Sequence, residues 1–214
     1  MSAAKGATIA ETYKARLNAL KNGGGRKILG IVGPPGCGKS TLAAALLDFL
    51  GDEAVAVPMD GYHLANVELA RLGRAGRKGA EDTFDSAGYV SLLRRLKNQQ
   101  ANEIVYAPEF RREIEEPIAN AIPVFPETQL VITEGNYLLL DHGHWAGISD
   151  LLDEIWYVDI DHSIRRERLV KRHMHFGRSQ SAAEDWVANT DEPNAVRIEA
   201  TKHRADVLFN WEGE

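Results

Sequence analysis

Apolar residues run along the chain in two rhythms. Short continuous runs, Ile28 to Val32, Ala54 to Met59, Ile104 to Tyr106, Leu130 to Thr133, Ile155 to Ile160 and Ala205 to Phe209, have the length and composition of buried strands. Elsewhere the spacing shifts to three and four residues: Ile9, Tyr13, Leu17 and Leu20; the Ala- and Leu-rich Leu42 to Leu50; Tyr89, Leu92, Leu93 and Leu96; Trp186 and Val187. Each of these predicts an amphipathic helix. The boundaries carry their own signals. Thr8 with Glu11, and Ser181 with Glu184, have capping-box spacing. Asn22 and three glycines stop the first helix, Pro108 ends the third apolar run, and Pro193 after Asp191 suits the first turn of a helix. Arg111 to Glu116 reads as a loop or edge excursion, Leu138 to Leu140 as the start of a helix or a buried turn, and Trp145 as an anchor for the loop behind it. Strands alternating with helices make this an α/β chain.

The junction of the first strand and its helix carries the chemistry. Gly33-Pro34-Pro35-Gly36-Cys37-Gly38-Lys39-Ser40, followed by Thr41, fits the phosphate-binding template G-x-x-x-x-G-K-[ST] at every fixed position. Backbone N–H groups and the positive end of a helix can wrap an oligophosphate only where no Cβ blocks the approach, and the glycines leave it open. Lys39 is expected to reach the β- and γ-phosphates, and the Ser40 hydroxyl to ligate Mg²⁺. Cys37 stands at a variable position of the loop, where a small residue that fits is a simpler reading than redox chemistry. Asp60 closes the second apolar run and Glu134 the fourth. Ligands of open α/β sheets bind beyond the carboxyl ends of the strands, so both acids are functional candidates; a helix cap or a structural strand-end acid is the plainer alternative. Arg71 to Gly79, glycine-rich and basic, is either a solvated excursion or a clamp on an anion. Arg165, Arg166, Arg168, Lys171, Arg172, His173, His175 and Arg178 form the densest basic cluster. It reads as a lid closing on phosphates rather than a solvated helix face, because the loop already demands negative charges to neutralise. Asp159 and Asp161 suit helix caps, and the histidines lack zinc-site spacing.

Length and charge narrow the class. With 214 residues the chain is long enough for one multilayered core and short for two full domains. We expect a single domain over 1–214, with a leading helix over about 1–24 and a lid over about 163–190. A net charge of −6 argues against a general nucleic-acid surface. There is no apolar run of about 18 residues to cross a membrane, and the single cysteine forms no internal disulfide. These point to the cytoplasm, with oligomeric state open and a homodimer among the options.

Taken together these segments resemble the P-loop small-molecule kinases of the uridine kinase, pantothenate kinase and phosphoribulokinase superfamily. Met59-Asp60-Gly61-Tyr62-His63 resembles its acidic segment after the second strand, Val131 to Gly135 its Walker-B-like strand, and Arg165 to Arg178 its arginine lid. With Arg77-Lys78-Gly79, Asp82-Thr83-Phe84-Asp85, Val105 to Pro108, Glu134 to Tyr137 and Arg204-Ala205-Asp206, the chain looks most like a bacterial nucleoside/nucleotide kinase, or fructose transport system kinase, branch. The resemblance implies a three-layer P-loop NTPase fold with a mostly parallel central sheet and a small helical lid. It implies ATP and Mg²⁺ as cofactors, a small-molecule phosphate acceptor as partner, and Asp60 as the base. Gly33 to Thr41 and Arg168 would hold the nucleotide, Ser40 and Glu134 the hydrated Mg²⁺. Lys39, Arg172 and Arg178 would stabilise the transferred group. Tyr62, His63, Lys78, Tyr106, Arg111 and Asn136, beside the strand ends, are the acceptor-pocket candidates. Uridine kinases carry Asp-Ser-Phe-Tyr where this chain has Asp60-Gly61-Tyr62-His63, so the acceptor stays open among sugars, pantothenate-like compounds and nucleosides. The rival classes are a regulatory nucleotide switch hydrolysing ATP without an acceptor, and a degenerate kinase that only recruits a partner.

Overall fold

The computed structural model describes residues 9–211. Thr8, half of the first expected capping box, lies outside them. The elements in chain order are α1 (Glu11–Lys21), β1 (Lys27–Val32), α2 (Lys39–Leu50), β2 (Ala54–Ala56), α3 (Asn66–Arg71), α4 (Ser86–Lys97), β3 (Val105–Arg111), β4 (Glu116–Val124), β5 (Leu130–Gly135), β6 (Glu154–Val158), α5 (His162–His175), α6 (Gln180–Trp186), α7 (Glu192–Glu199) and β7 (Val207–Phe209).

Five strands pair in the order β2-β5-β1-β6-β7, each pairing parallel. β1 lies at the centre, which is why its apolar run does not alternate with polar residues: both faces are covered. Ile28 and Val32 face a core shared with Tyr89, Leu93, Tyr137, Trp145 and Ile198. Leu29 and Ile31 face the opposite one, shared with Leu17, Leu42, Leu46, Trp156 and Phe209. Each fully buried leucine contributes about 1.5–3 kcal/mol through water excluded from its surface. Helices thus cover both sides of the sheet. The register aligns Ile31 with Glu134 and Val32 with Gly135, so the turn leaving β1 emerges beside the acid ending β5. No helix among the described residues is long and apolar enough to cross a membrane.

Several local expectations need correction. The second strand is shorter than its apolar run: it ends at Ala56, Val57 N donates one more bond to Ile132 O at 2.8 Å, and Met59–Tyr62 is a 3-10 turn that carries Asp60. Pro108 does not end β3. The register shifts between Ala107 and Glu109, and this irregularity accommodates a residue with no N–H to pair. The expected excursion after it is the turn of a hairpin whose second strand, β4, contains Pro117 and Pro123. Among the described residues β4 pairs with β3 alone, and prolines are tolerated on such an edge. Ser179 rather than Ser181 caps α6, accepting from Ala182 N. Asp161 caps α5, whereas Asp159 binds Lys202 at 2.6 Å. Leu138 to Leu140 form a buried turn, and Trp145 is buried behind it.

Candidate active site

β1 releases the chain into the glycine loop at the carboxyl edge of the sheet. Gly36 has φ +82°, and a Cβ there would lie 2.7 Å from Leu169 Cγ and 3.1 Å from Arg165 O. Only glycine allows both that backbone and the close approach of α5. Gly38, φ +97°, turns the chain into α2. Around them Gly33, Pro34, Pro35 and Cys37 are buried, and burial pushes the Cys37 thiol up, away from thiolate chemistry. Lys39 is buried, its Nζ donating to Gly33 O at 2.9 Å and Pro34 O at 3.2 Å. Ser40 and Thr41 are exposed at the start of α2, and Ser40 Oγ donates to Glu134 Oε1 at 2.9 Å.

Glu134 is buried, and that burial, reinforced by the nearby Asp60 charge, raises its pKa above its ordinary 4.5. Its contribution to stability is therefore complete below pH 4.5 and is lost as pH rises through the raised value. A Glu134→Gln variant should accordingly be more stable than wild type at neutral pH without nucleotide, by about 0.5–2 kcal/mol, with the gap closing at acid pH. Thermal denaturation of both proteins across pH checks this.

Asp60 faces Glu134 from the 3-10 turn and is paired with Arg112, NH2 to Oδ2 at 3.3 Å. His63, one turn on, has Nδ1 2.8 Å from Asp60 O. A carbonyl can only accept, which places the proton on Nδ1. Burial lowers the His63 pKa, and its ring packs between Phe84 and Phe110 at centroid distances of 4.0 and 4.6 Å. The imidazole is a neutral wall.

The basic stretch from Arg71 to Gly79 divides between its two readings. Arg71 pairs with Glu68, and Arg77 grips Asp82 through two bonds of 2.6 and 2.5 Å. Lys78 instead turns toward the cleft, donating to Asn66 Oδ1 at 2.7 Å and to Glu115 O, with its ammonium 5.1 Å from the centre of the Phe110 ring. The late cluster divides as well. Lys171 makes an exposed pair with Glu167. Arg165 is 1 % exposed and is a strut: NH2 donates to Glu192 Oε1 at 2.6 Å and NH1 reaches Pro35 O at 3.5 Å. Arg168 approaches Gly38, Arg172 and Arg178 line the cleft, and Arg178 lies 3.9 Å over the Trp186 ring. His173 binds Asp191 at 2.8 Å and joins α5 to the turn before α7.

These segments enclose one cleft of about 600 Å³, lined by Pro35, Gly36, Lys39, Ser40, Asp60, His63, Lys78, Glu134, Asn136, Arg172 and Arg178 among others. Three acceptor candidates are not brought to it. Tyr62 packs against Tyr89 at 5.4 Å, Tyr106 is exposed on the outer side of the hairpin, and Arg111 pairs with Glu109 at 2.9 Å. The irregularity at Pro108 shifts the hairpin's phase, so Arg112, first residue of the turn, takes the position expected of Arg111. Sequence reasoning also missed Phe110 in the cleft wall and Arg165 as a strut. Arg112 had one available signal, a cation just past the end of a strand.

A phosphate-wrapping loop, a lysine behind it and two acids at adjoining strand ends define a P-loop phosphotransferase site. Residues 28–213 match the Phosphoribulokinase / Uridine kinase family, and the chain belongs to that family. It is an ATP-dependent kinase. A Schizosaccharomyces pombe protein provisionally named a uridine kinase is 35% identical over 197 residues, spanning 88% of this chain and 83% of that one. A crystal structure from Silicibacter sp. TM1040, provisionally titled a fructose transport system kinase, is 38% identical with a TM-score of 0.84, covering 95% of this chain and all (100%) of its own. A Saccharomyces cerevisiae P-loop protein at 18% identity and TM-score 0.77, covering 94% and 99%, shares the fold.

Proposed function

We propose that the enzyme transfers the γ-phosphoryl group of ATP to a hydroxyl of a small polar metabolite, with residues 1–214 acting as one catalytic unit and 163–190 as its lid. The observation that carries this reading is the placement of Asp60, tethered by Arg112, in the same cleft as the phosphate loop. A nucleotide switch needs no carboxylate aimed at a second substrate.

In this reading the loop N–H groups from Gly33 to Gly38, with Lys39 and Thr41, hold the phosphates, and Arg168 closes on the nucleotide. Lys39 exchanges its loop carbonyls for phosphate oxygens. The Ser40 hydroxyl and the Glu134 carboxylate suit Mg²⁺, which is usually held by one or two protein oxygens together with phosphates and water rather than by a protein cage. Mg²⁺, when bound, neutralises charge on the β- and γ-phosphates. The acceptor oxygen bonds to the γ-phosphorus as the bond from that phosphorus to the β–γ bridging oxygen breaks. ADP leaves with the electron pair, and the hydroxyl proton passes to Asp60. Arg172 and Arg178 offset the charge of the transferred group. His63, Lys78 and Asn136 line the acceptor side.

Incubation with MgATP and a panel of sugars, polyols, pantothenate and nucleosides, read by mass spectrometry for an added phosphate and by ADP release, tests the proposal. ADP release that depends on an acceptor is expected; equal release without one supports the switch and overturns the kinase reading.

A further inference from the structure

We propose that the acceptor side of the cleft takes a short anionic hydroxy compound, a hydroxy acid or a sugar phosphate. Arg112 and Lys78 hold its carboxylate or phosphate while its hydroxyl meets Asp60. This deepens the phosphotransfer reading and rests on it.

The first observation is where the cleft's charges are already spent. Glu134 is engaged by Ser40, Asp191 by His173, and Glu116 accepts the backbone N–H of Asn66. On the acceptor side Lys78 is held by two neutral oxygens, the Asn66 amide and the Glu115 carbonyl, and forms no ion pair among the described residues. Two separate elements, the start of α3 and the hairpin turn, therefore fix an ammonium group against Phe110 with no carboxylate at ion-pair distance: burial lowers the Lys78 pKa, and the charges of Glu116 and Glu115, acting from farther off, offset that only in part. A half-buried cation so arranged is costly unless an anion joins it. Glu113 and Glu115 also lie at this rim, but both side chains are exposed in the hairpin turn.

The second observation sets the acceptor's size. Arg112 offers five N–H donors, of which one NH2 reaches Asp60 at 3.3 Å. A guanidinium that bridges Asp60 and an acceptor anion puts the two about 6 Å apart, two hydrogen-bond lengths. That separation suits a hydroxyl a few carbons from a carboxylate or phosphate. A neutral nucleoside would place no charge opposite Arg112 or Lys78.

Matched pairs test this: glycerate against glycerol, and ribose 5-phosphate against ribose, with uridine as a neutral nucleoside, each with MgATP. The charged member of a pair should be phosphorylated and the neutral one not. The pair that responds distinguishes carboxylate from phosphate. Arg112→Gln and Lys78→Met should each raise KM for the charged acceptor about ten- to a hundred-fold and leave KM for ATP in place; a merely structural staple would weaken both. Better turnover of ribose, glycerol or uridine overturns the anionic acceptor while leaving phosphotransfer standing. In parallel, inorganic phosphate is titrated into enzyme saturated with Mg²⁺ and a non-hydrolysable ATP analogue. It should raise the melting temperature of the wild type and not of either variant, and absence of a wild-type shift overturns the anion site. A screen with no product in any arm counts against phosphotransfer, and the titration still decides the anion site.

Discussion

Replacing Asp60 with Asn is expected to lower kcat by about a hundred- to ten-thousand-fold, the range of general-base assistance, with KM for ATP little changed. The substitution keeps the size and planarity of the side chain and removes its charge. Asp60 sits on the turn after β2 rather than on the phosphate loop, and its partner is Arg112, so nucleotide affinity should be spared. The acceptor's KM should move, because Arg112 loses the carboxylate that aims it. Steady-state kinetics with both substrates varied separates these effects. Unchanged turnover removes Asp60 from the reaction, and a large rise in KM for ATP reassigns it to the nucleotide.

Glu192→Ala is expected to destabilise the protein by about 3 kcal/mol, the lower part of the range for breaking a buried pair, and so to lower Tm by about 6–12 °C for a chain of this size. Arg165 would keep its charge at 1 % exposure with only the Pro35 carbonyl, at 3.5 Å, in reach. Among the described residues its Nε has no partner, so no spare contact takes over. Arg165 also braces the loop at Pro35, and Gly36 packs on the same helix. KM for ATP should therefore rise together with the loss of stability. Calorimetry and ATP titration check both, and a variant that melts with wild type shows that the pair is dispensable.

The parts of the site that were legible in the sequence are those whose physics is local. The phosphate loop requires its glycines and lysine at fixed spacing between a strand and a helix, and the structure folds it there. Asp60 and Glu134 stood out because they close apolar runs that point to the carboxyl edge of the sheet; Glu134 lies in the last two residues of β5, while Asp60 lies past the end of β2 on the 3-10 turn. What was not legible depends on long-range pairing. β4 carries two prolines, which argue against a strand until its partner shows it to be an edge. The choice between Arg111 and Arg112 turns on a register shift that no periodicity announces. The role of Arg165 could not be seen, because its partners lie 130 and 27 residues away along the chain. Six residues of α3 are too few for a helical rhythm to stand out.

The hairpin of β3 and β4 is hydrogen-bonded to itself and lies outside the five-stranded sheet. It carries Phe110 and Arg112 into the cleft, while the sheet carries the phosphate loop and Glu134. Insertions, deletions and substitutions at the hairpin tip therefore leave every pairing of the parallel sheet intact. If the tip holds the acceptor as proposed, a directed-evolution library confined to 109–116 should change substrate preference at little cost to ATP use.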